Sequence, residues 1–257
     1  MKNTERVLVK LGSNVINGGE GLNEEVMSNL VREMVQLKRG GIRVLLVSSG
    51  AVAAGRALNK DEALNALPKT QREQILFGIG QVKLMSTYRR LMQVYKVHPF
   101  QILTEAMHFE NPPSIENMRA PVEYAMNSDD MIPIANENDL TATDELRFTD
   151  NDHLAALLAK EFGIDAAFML STIDGIYDRD PADPSAQVIR EIDHRSFDVS
   201  QMQVGSSSTM GRGGPVSKVE NAMKMAKNGT RVYIANGTRE GIIHRILRGE
   251  GEFTGVR

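Results

Sequence analysis

The chain has 257 residues, with 30 Lys and Arg against 33 Asp and Glu and a formal net charge of -3. This near balance gives no general attraction to nucleic acid or to an anionic membrane, so a phosphate group must be bound by a local site. The absence of cysteine excludes disulfides, thiolate nucleophiles and Cys-based metal sites. No His-x-x-x-His pair, signal-peptide pattern or membrane-length apolar run is present, so we expect a cytosolic protein.

Short apolar runs alternate with helical patterns along the chain. Residues 7–9 predict a first strand, and residues 24–39 carry apolar side chains at helical spacing until Gly40 and Gly41 end the pattern. The run from 42 to 47 is apolar apart from Arg43, as expected of a parallel strand covered on both faces. Further strands are predicted at 131–135, 166–170 and 231–235, and further helices at 153–162 and 217–228.

Strand–helix–strand units imply right-handed crossovers and a mostly parallel sheet. We therefore predict an α/β fold, a three-layer α/β/α sandwich with a mostly parallel central sheet, formed by residues 1–257 as a single domain. Ligands of such sheets lie beyond the carboxyl ends of the strands. Four polar clusters fall at these ends, at residues 10–13, 48–51, 136–139 and 171–172.

Two segments are candidates for phosphate binding. Lys10 ends a buried strand and Gly12 follows it, so a fixed cation lies beside backbone that a ligand can approach closely. The second segment is a glycine-rich loop at 211–214 that leads into Pro215 and Lys218, and it is not a Walker A loop. Alone, each segment is equally typical of a strand-end turn or a capped surface loop.

Carboxylates and amides are concentrated in the sequences NEND at 136–139 and TDND at 149–152. A carboxylate there could pair with the ammonium of an amino acid, and an amide could donate to its α-carboxylate. The turn at Ser49, Gly50 and Ala51 could offer backbone N–H groups, although a serine there is equally typical of a helix cap. Together with two lysines held by an aspartate, these groups suit phosphoryl transfer to an anionic acceptor, with magnesium offsetting the charge repulsion.

Several stretches carry a resemblance to a known family. They read VLVKLGSNV, VLLVSSGAVAAGR, GIGQ at 78–81, IPIANENDLTAT, TDNDHLAALLA, IDGIYDRDP and GRGGPVSKVENA. With them the chain resembles the amino acid kinase family from about residue 7 to about residue 241. The pairing of NEND with DND is specific for the branch that phosphorylates glutamate, whereas KLG and SSGA mark only the wider family.

The resemblance implies transfer of phosphate from ATP, with Mg2+, to the γ-carboxylate of L-glutamate, the first step of proline biosynthesis. It implies an acceptor site in the N-terminal half, a nucleotide site in the C-terminal half, and magnesium held through the phosphates rather than by an assigned side chain. The implied catalytic residues are Lys10, Asp152 and Lys218. The implied glutamate-binding residues are Ser49, Gly50, Asp139 and Asn151, and the implied nucleotide-binding residues are Lys10, Gly12, Ser171, Thr172, Arg212, Gly213, Gly214, Ser217 and Lys218.

Three departures from the family pattern bear on these expectations. The family usually has Thr-Asp where this chain has Ser171 and Thr172, which removes a carboxylate and leaves nucleotide affinity and base preference open. Arg212 and Pro215 replace the usual Thr and Met of the glycine loop, and Arg212 either contacts phosphate or is solvated. The C-terminal RNA-binding-like PUA domain of many members is not expected here, so no nucleic-acid partner follows. Feedback inhibition by proline and a homo-oligomer, a dimer or tetramer, are the family's further expectations.

Two other functions remain open from the sequence. One is a sibling kinase that acts on another acid, such as acetylglutamate. The other is a catalytically weakened module that binds nucleotide or amino acid and regulates a partner, which only the Ser171–Thr172 departure supports. An ammonium site at Asp139 and Asn151 favours free glutamate. Retention of the lysines at 10 and 218 with Asp152 favours an active enzyme.

Overall fold

Strands and helices alternate in the computed structural model of the chain, which describes residues 5–19, 21–141, 151–202 and 214–257. None of the helices in these ranges is both long enough and apolar enough to cross a membrane. The strands are β1 (Arg6–Leu11), β2 (Asn17–Gly18), β3 (Gly21–Leu22), β4 (Arg43–Ser48), β5 (His98–Thr104), β6 (Met131–Glu137), β7 (Ala166–Ser171), β8 (Glu191–Ile192), β9 (Arg231–Asn236) and β10 (Thr254–Val256). The helices are α1 (Ser13–Ile16), α2 (Glu24–Arg39), α3 (Ala51–Leu58), α4 (Lys69–Gln93), α5 (Ala106–Glu110), α6 (Pro112–Asn127), α7 (Asn151–Glu161), α8 (Pro215–Lys227) and α9 (Ile242–Leu247), with 3₁₀ turns at Glu62–Ala66 and Val199–Gln201.

The main sheet has eight strands within the described ranges, in the order β5-β6-β4-β1-β7-β9-β10-β8. The first six run parallel to their neighbours, and β10 runs antiparallel to β9 and parallel to β8. In register, Lys10 lies opposite Val47 of β4 and Met169 of β7, so the carboxyl ends of these three central strands coincide. From β1 the chain continues to β4 on one side and later to β7 on the other, which makes β1 the point where the strand order reverses.

Side chains of each central strand alternate between two helical layers. Val7 and Val9 belong to one apolar core, whereas Leu8 belongs to the other. The first core contains residues from α2, α4 and α9, and the second contains residues from α6, α7 and α8. Because both faces of the sheet are covered, the strands read as continuous apolar runs. The predicted three-layer α/β/α architecture with a mostly parallel sheet is confirmed.

The observed elements differ from the predicted ones in ways that have local causes. The helix predicted from residue 153 begins two residues earlier, at Asn151. Helix α8 begins at Pro215, and a proline fits the first helical position because its missing N–H would be unpaired there anyway. Strand β5 was not predicted, because its proline and polar side chains suit the edge position it occupies. Helices α4 and α6 were not predicted either, because glycines interrupt one pattern and Pro121 interrupts the other.

Helices α3 and α4 cross with their backbones in contact. A Cβ atom added at Gly80 would overlap the carbonyl oxygen of Ala51, and one added at Gly55 would overlap the carbonyl oxygen of Leu76. Both glycines are therefore required by the close approach rather than by an unusual backbone angle. The contact fixes the first turn of α3, which follows directly on the carboxyl end of β4, against the middle of α4.

We expect Gly80→Ala to lower the free energy of unfolding by at least about 1–3 kcal/mol, because the helices must separate to make room for a methyl group. Gly78→Ala is the matched control on the same helix, since a Cβ there meets no atom within 4 Å. That control should be neutral or stabilising by up to about 1 kcal/mol, because alanine favours the helix over glycine. Urea unfolding followed by circular dichroism measures both, and equal effects of the two substitutions would contradict the crossing described.

Candidate active site

A cavity of about 600 Å³ opens at the carboxyl edge of the sheet, and all four polar clusters predicted from the sequence contribute to it. Its walls come from β1, β6 and β7, from the two residues that follow β4, and from the helices α3, α7 and α8. Nine of the twelve predicted site residues that the structure describes line this one space. Those in the lining are Lys10, Gly12, Ser49, Gly50, Asp139, Asn151, Ser171, Thr172 and Lys218.

At the base of the cavity, the carboxylate of Asp152 lies between two ammonium groups. Lys10 Nζ pairs with Asp152 Oδ1, and Lys218 Nζ donates to Asp152 Oδ2 at 2.9 Å. Asp152 is fully buried, and the lysine side chains are only 6% and 8% exposed. Burial alone would raise the pKa of Asp152, but the charges and hydrogen bonds of Lys10 and Lys218 hold that pKa below its usual value. The aspartate is therefore ionised, and two positive charges against one negative leave the cluster with a net charge of +1.

The three charged residues reach this point from three separate elements. Lys10 is the penultimate residue of β1, Asp152 lies in the first turn of α7, and Lys218 lies in the first turn of α8. Asn151 and Pro215, the first residues of the two helices, also line the cavity. Unpaired backbone N–H groups at helix N-termini carry partial positive charge, so both helix ends add to the anion-binding character of this edge.

On the β4 side of the cavity, Asn151 is held by three protein acceptors. Its Nδ2 donates to Ser48 O at 3.1 Å, to Ser49 Oγ at 2.8 Å and to Asn136 Oδ1 at 3.0 Å. The sequence left Ser49 open as a helix cap, but the residue at the N-cap of α3 is Gly50, with no side-chain cap. Gly50 has a φ of 96°, a backbone angle that favours glycine, and a Cβ there would lie 2.9 Å from Ile16 Cδ1, so the Ile16 side chain would have to shift.

Helix α4 supports this side of the cavity from behind with two buried polar side chains. Gln81 Oε1 accepts from Asn136 Nδ2 at 3.1 Å, and Tyr88 OH lies 2.8 Å from Ser48 Oγ. Burial raises the pKa of Tyr88 well above its usual value, and the hydrogen bond with Ser48 offsets only part of that rise, so Tyr88 stays a neutral phenol. The two residues are seven apart, which places both on the same face of α4.

On the β7 side, backbone and hydroxyl groups form the wall. Gly12 N donates to Leu170 O at 2.9 Å, and a Cβ on Gly12 would lie only 3.2 Å from that oxygen. Thr172, at the position where the resemblance led us to expect an aspartate, is exposed. The next carboxylate along the loop, Asp174, accepts from Arg239 at 2.6 and 2.7 Å, and the pKa of Asp174 is lowered chiefly by this hydrogen bonding. Because Arg239 already neutralises it, Asp174 does not restore a free carboxylate to this wall.

Among the described residues, the predicted Asp152, Gly214 and Ser217 do not line the cavity. Arg212 and Gly213 lie outside the residues that the structure describes. Gly214 is the N-cap of α8, and its carbonyl oxygen accepts from Lys218 N at 3.0 Å. Ser217 Oγ lies 3.4 Å from Asn221 Nδ2 on the same helix.

Several lining residues were not singled out from the sequence. Arg56 follows Ala53 by three residues on α3, and both line the cavity, so helical spacing could have identified it. No hydrogen bond or ion pair connects the Arg56 guanidinium to another residue of the described ranges. Glu73 reaches the cavity from α4, and no local pattern connects that helix to the sheet edge. Asn17 lines the cavity from β2, and no local sequence pattern indicates this position either.

A doubly wound sheet with lysines and helix N-termini at one edge defines an α/β protein that binds phosphate groups. The chain belongs to the amino acid kinase family, whose sequence pattern matches residues 5–236. The family and the class of enzyme, a kinase, are thus as predicted from the sequence.

Curated relatives agree with this assignment. The chain is 38% identical over 244 residues to the glutamate 5-kinase of Bacteroides thetaiotaomicron, an alignment that covers 95% of this chain and 67% of that protein. It is 36% identical over 246 residues to the glutamate 5-kinase of Chlorobaculum tepidum, covering 95% and 66%. The chain thus spans about two thirds of the length of these relatives.

Two solved structures share the fold at low sequence identity. An isopentenyl phosphate kinase in its substrate complex superposes with a TM-score of 0.64 at 20% identity, over 99% of this chain and 100% of that one. The UMP kinase of Bacillus anthracis superposes with a TM-score of 0.67 at 15% identity, over 99% and 96%. Such likeness supports the fold and says nothing about the acceptor.

We expect Asp152→Asn to lower the free energy of unfolding at pH 7 by roughly 3–5 kcal/mol, because it leaves two buried ammonium groups facing each other. Since the pKa of Asp152 is depressed in the folded chain, its stabilising contribution is complete above the unfolded value near 3.8 and is lost as the pH falls through the lower folded value.

Urea titrations from pH 7 to pH 3 test this expectation. The difference in unfolding free energy between the parent and Asp152→Asn should stay constant down to about pH 4 and shrink only below it. A difference that already declines between pH 7 and pH 5 would mean that Asp152 is not paired as described.

Proposed function

We propose that the chain transfers the γ-phosphoryl group of ATP to the γ-carboxylate of L-glutamate and forms γ-glutamyl phosphate, the first step of proline biosynthesis. The observation that carries the proposal is the pair of ammonium groups, from Lys10 and Lys218, that share one buried carboxylate at the base of the cavity. The identity of the acceptor is inferred from the glutamate 5-kinases among its relatives, which are matched over 95% of this chain.

The proposed catalytic residues act by position and charge. Asp152 pairs with both lysines and holds their ammonium groups at the base of the cavity, where the oxygens of the transferring group would lie. Charge spreads over these oxygens in the transition state, and donors that are already oriented stabilise it without reorganising. Lys10 and Lys218 are such donors, with Asp152 as the residue that positions them.

The chemical step needs no nucleophilic side chain. A γ-carboxylate oxygen of glutamate forms a bond to the γ-phosphorus of ATP, and the bond from that phosphorus to the β,γ-bridging oxygen breaks, with its electron pair leaving on ADP. No general base is required, because a carboxylate near pKa 4 is already deprotonated at neutral pH. The work of the protein is therefore to bring two anions together.

Magnesium, bound to the phosphates of ATP, would neutralise part of their charge. Within the described ranges, no three side chains of His, Cys, Asp and Glu are close enough to hold a metal ion. Retention through the phosphates suits an ion that keeps much of its own hydration and needs few protein ligands. We propose that Gly12, Ser171 and Thr172 contact the nucleotide. A second set of residues would bind its phosphates, namely Arg212, Gly213, Gly214 and Ser217.

Free glutamate is favoured over an acylated acid by the acceptor wall. Asp139 and Asn151 line the cavity near Ser49 and Gly50, and a carboxylate with an amide there suits a cationic α-amine. An acetylated amine carries no charge and could not form an ion pair with Asp139. Location in the cytosol, inhibition by proline and assembly into a homo-oligomer stay predictions that accompany this proposal.

An ADP-release assay with L-glutamate, acetylglutamate, aspartate and UMP as separate acceptors tests the proposal. We expect turnover with L-glutamate to exceed that with acetylglutamate and UMP by at least about 100-fold, because a site built to pair a charged group rejects analogues that lack it. Turnover with aspartate should be lower by about 10-fold or more, because its side chain is one methylene shorter. Preference for acetylglutamate would identify a sibling kinase. Absence of turnover with every acceptor would favour a binding module.

Lys218→Ala is expected to lower kcat by roughly 10²-fold or more, because one oriented donor to the transition state is lost. Lys10 remains to neutralise Asp152, so the folded chain should persist, as thermal unfolding would show. Lys224→Ala is the control on the same helix, where the lysine is exposed. An unchanged kcat in Lys218→Ala would remove that residue from the proposed catalytic group.

A further inference from the structure

Gln81 has no place in the chemistry proposed above, although the GIGQ segment that contains it is one of the stretches that mark the family. It is 93% buried on α4, being 7% exposed, and does not line the cavity. Its Oε1 accepts from Asn136 Nδ2 at 3.1 Å, and Asn136 Oδ1 in turn accepts from Asn151 Nδ2 at 3.0 Å. These three side chains form an amide relay, Gln81–Asn136–Asn151, from the interior of α4 to the cavity.

Two backbone groups fix the direction of the relay. Asn136 Oδ1 also accepts from Glu137 N at 3.0 Å, and Asn151 Nδ2 also donates to Ser48 O at 3.1 Å. A backbone N–H cannot accept and a carbonyl cannot donate, so flipping either amide would bring two donors or two acceptors together. Gln81 must then present its oxygen, because Asn136 has only its NH2 group left to offer.

The relay decides which atom of Asn151 a ligand meets. The two hydrogens of Asn151 Nδ2 are shared among Ser48 O, Ser49 Oγ and Asn136 Oδ1. Its carbonyl oxygen is therefore the atom left for the cavity, and a carbonyl accepts hydrogen bonds but cannot donate them. The sequence-based expectation that an amide donates to the α-carboxylate does not suit Asn151 in this orientation. An ammonium group suits it.

We infer that Gln81 is a positioning residue that selects for a cationic amine on the acceptor, because it holds Asn136 and thereby the carbonyl of Asn151. This inference rests on the proposed function and names the group of the substrate that the relay recognises. Without the oxygen of Gln81, the buried NH2 of Asn136, a residue only 4% exposed, would lose its partner. A buried donor without a partner is costly, so Asn136 would rotate towards another acceptor and release Asn151.

The variant Gln81→Met keeps the length and approximate volume of the side chain but removes the carbonyl. We expect it to raise KM for L-glutamate by at least about 10-fold, with kcat and KM for ATP changed by less than about 3-fold, since the lysine cluster is untouched. The KM for glutarate, which has both carboxylates but no amine, should change little in this variant. The ratio of kcat/KM for L-glutamate to that for glutarate should therefore fall by about 10-fold or more.

Two further variants separate positioning from general damage to α4. Gln81→Glu retains an oxygen acceptor for Asn136 Nδ2 and should recover at least part of the lost preference for L-glutamate. Thr87→Val lies on the same helix, six residues on, where the buried hydroxyl has no hydrogen-bond partner among the described residues. It should leave every kinetic constant within about 2-fold of the parent.

Calorimetric binding of L-glutamate and of glutarate to each folded variant gives a readout besides turnover. Weaker binding of L-glutamate alone in Gln81→Met, with recovery in Gln81→Glu, supports the inference. A parent-like KM in Gln81→Met, equal losses for both acids, or failure of Gln81→Glu to recover any preference would overturn it. If the parent neither binds nor phosphorylates L-glutamate, the proposed function fails, and that result appears before any variant is made.

Discussion

The fully buried carboxylate of Asp152 is the constraint on which the rest of the site depends. A carboxylate removed from water must be paired, and here the partners come from positions 10 and 218, more than 200 residues apart along the chain. The pairing joins the first strand to the helices α7 and α8. It also places two ammonium groups side by side at the base of the cavity. A single buried group thus links folding stability to the electrostatics of the site.

The two walls of the cavity on either side of Asp152 present different chemical groups. The wall next to β7 consists largely of backbone and hydroxyl groups, with Asp174 neutralised by Arg239. The wall next to β4 and β6 consists of side-chain amides in a fixed hydrogen-bond order, supported by Gln81 and Tyr88 from α4. Backbone N–H groups suit the many equivalent oxygens of a phosphate chain, whereas ordered amides suit a ligand with distinct donors and acceptors. The asymmetry agrees with a nucleotide on one side and an amino acid on the other.

Much of this arrangement follows from the sequence, because the rules that place it are local. Continuous apolar runs identify β1, β4, β6, β7 and β9, and the rule that ligands lie beyond parallel strand ends brings Lys10, Ser49 and Asp139 together. The pairing of Lys218 with Asp152 came from family resemblance, since nothing local connects α8 to α7. The positions of Gln81 and Glu73 in the site could not be predicted from the sequence, for a different reason. They sit on α4, whose interrupted pattern hides the helix, and their contacts depend on how α3 and α4 cross in three dimensions.

The glycine-mediated crossing of α3 and α4 has a mechanical consequence. Where two backbones touch, no side chain remains between them that could change rotamer and absorb a displacement. The pair must translate or rotate as a single stiff block, carrying Gly50 and Gln81 with it. Adjustment of the cavity to an incoming substrate therefore cannot come from movement of α3 relative to α4.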